Sequence, residues 1–483
     1  MTLYRQALYG RTELLERLRN HLNEVLTSGH GRILAVRGRR QVGKSTAVTA
    51  FVESADAGYL YATGIKGAPA GAQLAAVGEA ARGSRRPVTD AALLFSETPA
   101  SWRDFFGRLA VAARTGPVAV VLDEFPWAVE SDASVEGELQ VQWDRTLDKL
   151  PILLILIGSD VAMMRRISEH DRALFGRTEQ VVVPALNPKE VADALPGRSA
   201  VEVFDSYLIT GGYPRLVASC ARARSVAGYV HRSLQDEHSD LVVTARLSLD
   251  AEFADAESAY RVLSAIGGSE VASPGFNDVG SAISDPSERD AAKTATTRAL
   301  GILTSVKDLV RVDVPAGAQP NSKLRRYRIT DPYLRFWFRF VERQIDNISR
   351  GRPDIAQARF DAGWLTWRGR AIEPVVHDGL TRLAATDERL AGIETVGAWW
   401  NRDNSVEVDA VARAADRVVA LATIKWRARG GVTNADVTTL AAQRALVPGA
   451  ANARLLAISA QNTPSRTGAD DTFTAKDLLG AWT

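Results

Sequence analysis

The sequence has little sulfur and little net charge. Its 483 residues include one cysteine, Cys220, so no disulfide can form within the chain, which fits a reducing compartment. The formal net charge is only +2. Composition therefore gives no global signal for a polyanionic partner, and a nucleic-acid surface would have to come from local clusters of basic residues.

Long apolar runs and paired histidines are also missing. The longest apolar stretch, residues 150–158, is less than half of the roughly 20 residues needed to cross a bilayer. The N-terminal segment lacks the apolar core of a signal peptide. The histidines are scattered, and none pairs with another at metal-ligand spacing. We therefore expect a cytoplasmic protein with no membrane association, and the length predicts roughly three domains.

The strongest motif present is "GRRQVGKS" at residues 38–45, which matches the P-loop pattern G-x-x-x-x-G-K-[ST]. An apolar run precedes it and a helical pattern follows, the strand–loop–helix context of a phosphate site. Glycines let the loop N–H groups converge on phosphate oxygens, while the lysine meets the β- and γ-phosphates and the serine ligates Mg²⁺. The sequence thus predicts ATP and Mg²⁺, bound by Gly38, Arg39, Arg40, Gln41, Val42, Gly43, Lys44, Ser45 and Thr46.

A second motif follows the apolar strand at 118–122, where Asp123 and Glu124 stand side by side. Adjacent carboxylates at a strand end are costly unless they are solvated or close to a cation. Beside a P-loop, Asp123 would hold the Mg²⁺ shell together with Ser45, and Glu124 would orient and deprotonate the attacking water. The alternative is an ordinary solvated strand end.

A third apolar strand, at 151–160, ends in Ser159. In P-loop ATPases with a glutamate base, a polar residue at this spot often senses the γ-phosphate. Ser159 or the next residue would also serve as the N-cap of the helix that follows, and the two roles are compatible.

These segments, with "LYGRTELLERL", "LFGRT" and "GGYPR", resemble the archaeal-type ATPase family within the AAA-like and signal-transduction (STAND) NTPases. The resemblance covers about the first 220 residues, in collinear order. It implies that Gly10, Arg11 and Glu13 lie near the adenine. It also implies that Gly212 and Pro214, in a lid, approach the base.

The resemblance further implies an arginine that reads the γ-phosphate. Arg177 of "LFGRT" and Arg215 of "GGYPR" are the candidates. Either arginine could instead pair with a surface carboxylate. The expected catalytic set is Lys44, Asp123, Glu124, Ser159 and Arg177.

Beyond an ATPase core at 1–185, the pattern predicts a helical lid at 186–250 and a winged helix at 251–330. The exposed side of its second helix would carry Lys293, Thr294, Thr297 and Arg298, a composition that could touch phosphate. The alternative is a winged helix that only packs against the ATPase.

A basic connector helix is expected at 331–355, within the segment 323–352 that holds nine Lys or Arg against three acidic residues. Arg335, Arg339 and Arg343 recur every four residues, which predicts one helix face and a nucleic-acid track. A solvated face is the alternative. The stretch "RYRITDPYLRFWFRFV" resembles the opening of the C-terminal domain in the archaeal-type ATPases.

That resemblance implies a restriction-endonuclease-like fold of the PD-(D/E)xK type for residues 356–483. Alternating apolar residues at 407–426 independently predict a two-stranded hairpin. With its turn near Ala415, the hairpin would pair Asp409 with Leu421 and Glu407 with Thr423.

Glu373, Asp409 and Lys425 could form a nuclease set of carboxylates and a lysine. Thr423 stands where the family usually has another carboxylate, so metal affinity should fall unless Glu407 compensates. The domain could then persist as a DNA-binding or docking module.

The expected fold is α/β: a P-loop NTPase parallel sheet with a helical lid, then a winged helix, then an α/β restriction-endonuclease-like domain. The expected function is a nucleotide-controlled ATPase switch with DNA as the partner, bound through the winged helix and segment 323–352. A homo-oligomer stays open. The alternatives are an ATP-regulated, metal-dependent DNA nuclease and an ATP-binding transcription regulator with little turnover.

Overall fold

The computed structural model describes residues 10–159, 161–253, 256–269, 273–283, 289–461 and 467–482. The chain divides into two compact units, residues 1–185 and 186–483. Five-stranded sheets occur in both units. Within the described ranges, no helix is both long and apolar enough to cross a membrane.

The first unit is built on a parallel sheet with the strand order β2-β3-β4-β1-β5. The central sequences "VAVVLD" and "ILLILIG" are buried at every position, as expected for parallel strands covered on both faces. The predicted α/β fold with a parallel sheet is confirmed here. The strands are Arg32–Arg37 (β1), Gly58–Thr63 (β2), Val118–Asp123 (β3), Ile152–Gly158 (β4) and Thr178–Val182 (β5).

Helices connect these strands. One core cluster contains the aromatic residues Phe95, Trp102, Phe105 and Phe106 with apolar residues of β3 and β4. The helices are Thr12–Ser28 (α1), Lys44–Ser54 (α2), Ala70–Gly83 (α3), Ala91–Leu94 (α4), Trp102–Ala113 (α5), Phe125–Ser131 (α6), Val135–Arg145 (α7) and Val161–Arg166 (α8).

The second unit begins with helices in the region predicted as a lid. Phe204 and Leu208 belong to the same hydrophobic core as the C-terminal sheet. Asp205 is buried and accepts a hydrogen bond of 2.8 Å from Arg368, which ties these helices to the later part of the unit. The helices are Pro188–Ala194 (α9), Ala200–Thr210 (α10), Pro214–Ala221 (α11), Val226–Leu234 (α12) and Asp240–Glu252 (α13).

The region predicted as a winged helix consists of helices followed by a two-stranded antiparallel sheet. Lys293, Thr294, Thr297 and Arg298 are exposed on the third of these helices. The elements are Ala256–Gly268 (α14), Phe276–Ile283 (α15), Arg289–Gly301 (α16) with a π-helical turn at Ile302–Val306, Val310–Asp313 (β6) and Arg326–Ile329 (β7).

The predicted arginine stripe is wrong. The connector helix, Pro332–Phe340 (α17), ends before Arg343, which lies in a separate 3₁₀ turn ahead of the helix Ile345–Ser349 (α18). Arg335 is only 7 % exposed, and Arg339 donates to a backbone carbonyl. The aromatic residues between them are buried around the helix, so α17 has no broad solvent face for a nucleic-acid track.

The C-terminal sheet is mixed, with the order β12-β11-β10-β9-β8. Strands β8 to β10 pair antiparallel, and β10 to β12 pair parallel. Both faces of the sheet are covered, because alternate residues of β9, β10 and β11 belong to two different hydrophobic clusters. The elements are Pro353–Ala371 (α19), Glu373–Leu383 (α20), Thr395–Trp400 (β8), Glu407–Ala414 (β9), Arg417–Lys425 (β10), Asn434–Gln443 (α21), Arg454–Ser459 (β11), Asp471–Thr474 (β12) and Ala475–Leu479 (α22).

The hairpin forms, but its predicted register is wrong. Leu421 pairs with Val411 instead of Asp409. The turn pairs residues 414 and 417, and a bulge between residues 418 and 420 adds one more residue to β10. Beyond the bulge, the turn and the bulge together shift the partner of each β9 residue by two positions along β10. Thr423, not Leu421, therefore lies beside Asp409, with 3.2 Å between Oγ1 and Oδ2.

Candidate functional site

The loop of residues 38–43 joins β1 to α2 at the carboxyl edge of the parallel sheet. The sheet order places β4 between β1 and β3, so the tips of these three strands meet at one edge. Gly43 has a φ of 89°. A Cβ on Gly38 would lie 2.2 Å from the carbonyl oxygen of Val183. Both ends of the loop therefore require glycine.

Lys44 begins α2 and is 5 % exposed. Its Nζ donates to the carbonyl oxygens of Gly38 (2.8 Å) and Arg39 (2.9 Å), so the ammonium group lies against the loop. Of the other predicted loop contacts, Val42 is buried, Arg39 and Arg40 are half-buried, and Gln41, Ser45 and Thr46 are exposed.

Arg11 holds the loop to a neighbouring segment. Its Nη2 donates to the carbonyl oxygens of Val42 (2.6 Å) and Pro184 (2.8 Å). Gly10 and Arg11 both have positive φ angles, 63° and 68°, while Glu13 is exposed. The expectation that these residues approach an adenine stays a prediction.

Asp123 at the tip of β3 is buried and has two donors. The Tyr61 hydroxyl donates to Oδ2 (2.7 Å), and the Glu124 N–H donates to Oδ1 (2.9 Å). Burial, and then the charge of Asp123, raise the pKa of Tyr61. The nearby side chains of Ser45 and Thr49 act in the opposite direction and lower the pKa of this hydroxyl. Ser45 and Asp123, the expected Mg²⁺ ligands, therefore both lie near the Tyr61 hydroxyl.

Sequence reasoning missed Tyr61. The signal was weak, because the residue belongs to no motif and reaches Asp123 only through the pairing of β2 with β3. That pairing places Thr63 opposite Asp123 and Tyr61 two residues earlier. The available signal was the alternation of side chains along β2, which places Tyr61 on the same face of the sheet as Thr63.

Glu124 and Ser159 connect the tips of β3 and β4. The Ser159 hydroxyl donates to Oε1 of Glu124 at 2.8 Å. Glu124 has a φ of 50° and precedes α6, so the chain turns sharply directly after the strand. The two side chains predicted to act on water and to sense phosphate are thus in direct contact.

The candidate arginines both pair with carboxylates. Nε and Nη2 of Arg177 bind the two carboxylate oxygens of Asp144 at 2.7 and 2.8 Å. This hydrogen bonding raises the pKa of Arg177. In the second unit, Nη2 of Arg215 lies 2.6 Å from Oδ1 of Asp240. A γ-phosphate role for either arginine stays a prediction.

The turn before Arg215 is shaped by glycine and proline. Gly212 has a φ of 71°, and a Cβ there would lie 1.9 Å from the carbonyl oxygen of Leu186. Pro214 is the first residue of α11, a position that suits its fixed φ. These constraints explain both residue types by the backbone alone, and contact with a nucleotide stays a prediction.

A second polar centre lies at the hairpin of the C-terminal sheet. Oδ2 of Asp409 accepts from the Ile424 N–H (2.7 Å), Lys425 Nζ (3.1 Å) and the Thr423 hydroxyl (3.2 Å). Glu373 begins α20, and burial together with the charge of Asp409 raises its pKa to about 8. The structure thus brings together the predicted set of Glu373, Asp409 and Lys425.

Glu407 does not replace the missing carboxylate. Its Oε1 accepts from Nη1 of Arg326 at 2.8 Å. Within the described parts of the chain, no group of three or more His, Cys, Asp or Glu side chains is arranged to hold a metal ion. The centre is therefore a network in which cationic and hydroxyl donors occupy the carboxylates.

Comparison with known proteins identifies one domain. Residues 7–155 match the family model of the AAA ATPase domain. The chain thus carries an AAA-type ATPase domain in its first unit. Residues 337–439 match a second family, described as archaeal and bacterial proteins of unknown function.

Similar proteins extend over most of the chain. An uncharacterized protein of Methanocaldococcus jannaschii is 22 % identical over 414 residues, which cover 84 % of this chain and 85 % of that protein. A Walker-type ATPase of Pyrococcus abyssi is 16 % identical with a TM-score of 0.47, covering 69 % of this chain and 97 % of that one. The Aeropyrum pernix ORC2 protein, in ADPNP–ADP complexes, is 17 % identical with a TM-score of 0.43, covering 73 % and 96 %.

Proposed function

We propose that this protein binds ATP with Mg²⁺ and hydrolyses it at the carboxyl edge of its parallel sheet. The observation that carries the proposal is the meeting of three strand tips beside the glycine loop. Asp123 accepts from the Tyr61 hydroxyl, Ser45 lies near that hydroxyl, and Glu124 accepts from Ser159. The match of residues 7–155 to the AAA ATPase domain supports the same function.

The residues present fit a Mg²⁺–nucleotide complex. The exposed Ser45 hydroxyl and the Asp123 carboxylate supply the hard oxygen ligands that Mg²⁺ prefers. When bound, Mg²⁺ neutralises charge on the phosphate oxygens. Lys44 now donates to two loop carbonyls, and phosphate oxygens are stronger acceptors for an ammonium group than neutral carbonyls are. The loop N–H groups and the start of α2 add positive potential.

Glu124 is the proposed general base. Its carboxylate stands one residue beyond Asp123 and accepts the Ser159 hydroxyl, so it is held at the tip of the sheet. In this arrangement Glu124 orients and deprotonates the water, while Ser159 responds to the γ-phosphate. Loss of that phosphate would change the partners of both side chains, which is the basis of a nucleotide-controlled switch.

A single substitution tests the base. Glu124→Gln should keep ATP affinity, measured by titration calorimetry with Mg²⁺, within about threefold, while phosphate release falls by roughly 10²–10⁴. Glu130→Gln is the matched control, because Glu130 is an exposed carboxylate on the following helix. Turnover that persists in Glu124→Gln would show that the base is another residue.

We also propose DNA as the partner of the second unit. Helices followed by the β6–β7 hairpin have the element order of a winged helix, and four polar or basic residues of α16 are exposed. The Lys293→Ala/Arg298→Ala double variant should weaken duplex binding and flatten its salt dependence. Fluorescence anisotropy at several salt concentrations measures both effects. Unchanged affinity would leave the winged helix as a packing element.

A nuclease is the second candidate, favoured by the meeting of Glu373, Asp409 and Lys425. Against it, Asp409 already accepts three donors and Thr423 adds no charge. We therefore expect a nuclease-like domain without cleavage. Plasmid incubated with Mn²⁺ should stay intact, whereas cutting that Asp409→Ala abolishes and Lys44→Ala does not would establish the nuclease.

A further inference from the structure

A cavity of about 570 Å³ lies within the second unit, between the β6–β7 hairpin, α17, the α19–α20 junction and β8. Five arginines from three parts of the chain line it: Arg311, Arg326, Arg328, Arg335 and Arg370. The volume falls within the roughly 300–1,000 Å³ of small-molecule sites. Neither the AAA domain nor the hairpin centre accounts for this convergence of guanidinium groups.

The carboxylates around the cavity are shared between arginines. Asp313 takes both the bidentate Arg328 (2.7 and 3.1 Å) and Arg311 at 3.5 Å. Glu407 takes both Arg326 at 2.8 Å and Arg370 at 3.7 Å. Two carboxylates thus serve four guanidinium groups.

Three more carboxylates belong to the lining. Glu373 lies 3.7 Å from Arg370, the same arginine that Glu407 contacts. Asp378 pairs with Arg382, which is not part of the lining. Glu394 is exposed to solvent. Around Asp313 and Glu407, guanidinium groups therefore outnumber the carboxylates that pair with them.

Arg335 is the most buried of the five arginines. It is 7 % exposed, and its Nη1 donates to the carbonyl oxygen of Ala371 at 3.2 Å. Among the described residues, no carboxylate lies within ion-pair distance of it. Burial and the charge of Arg328 lower the pKa of Arg335 to about 9. Glu373 and Asp313 act on Arg335 only from beyond ion-pair distance. A buried guanidinium without a direct ion pair is costly, and a bound anion would offset part of that cost.

We propose that this cavity binds the phosphate monoester of a nucleotide. Planar guanidinium groups match phosphate oxygens in pairs, and a dianion suits a site with several such groups. A second cavity of about 460 Å³ shares Arg370 and Glu373 with the first and leads to Asp409 and Lys425. The phosphate can therefore come from a free mononucleotide or from the 5′ end of a nucleic-acid strand that continues along the second cavity.

The test uses the full chain without ATP. The probes are a fluorescent single-stranded oligothymidine with a 5′-phosphate, the same strand with a 5′-hydroxyl, thymidine 5′-monophosphate and thymidine. We expect the phosphorylated strand to bind at least about tenfold more tightly than the hydroxyl strand, because only the phosphate can accept charge-assisted hydrogen bonds from the arginines. Competition by thymidine 5′-monophosphate, but not by thymidine, would identify a free nucleotide as a sufficient ligand.

Two variants tie the preference to the cavity. Arg335→Gln and Arg370→Ala should each remove the preference for phosphate, and the half-exposed Arg370 keeps the test usable where Arg335→Gln fails to fold. Arg359→Ala is the control, because Arg359 is exposed on the same helix as Arg370 and does not line the cavity.

The inference goes beyond the ATPase proposal, and Lys44→Ala separates the two. A preference for phosphate that survives Lys44→Ala supports the cavity even where ATP turnover is never detected. A preference that vanishes in Lys44→Ala means that the P-loop holds the probe, which overturns the inference. The inference is also overturned where neither the strand nor the mononucleotide shows a phosphate preference, or where the preference survives both arginine variants.

Discussion

The two polar centres of the molecule are built in opposite ways. At the glycine loop, Lys44 rests on neutral backbone carbonyls, and Ser45 beside it is exposed. At the hairpin, one oxygen of Asp409 already accepts an N–H, a lysine and a hydroxyl. The first centre gains charge-assisted bonds when an anion arrives, whereas the second must give up bonds to admit a cation. Proximity of suitable residues alone therefore does not make a reactive site.

Lys44→Ala should have the largest effect and tests the first half of this comparison. Removing a preorganised cation from a phosphate site costs roughly 10²–10³ in turnover. Phosphate release should fall by that factor, and duplex binding by the second unit, measured without nucleotide, should not change. Lys66→Ala is the control, because Lys66 is exposed and lies 5.2 Å from the Trp127 ring centre. Turnover within threefold of wild type in Lys44→Ala would contradict the assignment.

The pH dependence of stability tests the second half of this comparison, the centre at the C-terminal hairpin. Glu373 has 15 % of its side chain exposed, and its pKa is raised to about 8 in the folded protein from the usual 4.5. The folded state therefore binds more protons between these two values, and stability decreases as pH rises through that window. Between about pH 5.5 and 9, wild type should lose roughly 2–3 kcal/mol more than Glu373→Gln.

Urea denaturation of both proteins across this range measures the difference. Glu388→Gln serves as a control, because Glu388 lies in a separate 3₁₀ turn, Glu388–Leu390. Parallel stability curves for wild type and Glu373→Gln would mean that Glu373 is ionised in the folded protein throughout.

Thr423→Glu should convert the centre at the hairpin into one that binds a metal ion. Thr423 is buried beside Asp409, so a second carboxylate there should lower the free energy of unfolding by about 1–2 kcal/mol. Millimolar Mn²⁺ should then recover about 1 kcal/mol or more by binding the folded state. Thr423→Gln has the same shape without the charge and should show no Mn²⁺ effect. Thermal melting with and without Mn²⁺ decides between these outcomes.

The two centres also differ in how far sequence could predict them. The P-loop is contiguous, so Gly38, Gly43 and Lys44 could be identified from spacing alone, and an apolar run predicted the strand that ends at Asp123, directly before Glu124. Tyr61 could not be found in this way, because its contact with Asp123 depends on strand pairing across sixty-two positions of sequence.

In the later part of the chain, prediction from sequence failed at structural details that the spacing of apolar and basic residues does not encode. A one-residue bulge and a turn offset placed Thr423 beside Asp409. The end of α17 at Phe340 removed Arg343 from the predicted stripe. The period of four was present in the sequence, but buried aromatic residues on the rest of the helix left the arginines no common solvent face.

Arg177→Ala has the smallest expected effect and is the most direct test of an arginine in the first unit. The guanidinium is bidentate on Asp144, and both side chains are partly exposed, 28 % and 46 %. An exposed ion pair contributes about 0–1 kcal/mol, so we expect little change in stability and turnover within about threefold of wild type. An arginine that reads the γ-phosphate is worth roughly 10³–10⁵ in turnover.

Asp144→Ala separates the two roles. If Arg177 acts only in its ion pair with Asp144, both variants should release phosphate at similar rates. If Arg177 reaches the nucleotide, Asp144→Ala frees it and leaves turnover intact while Arg177→Ala abolishes it.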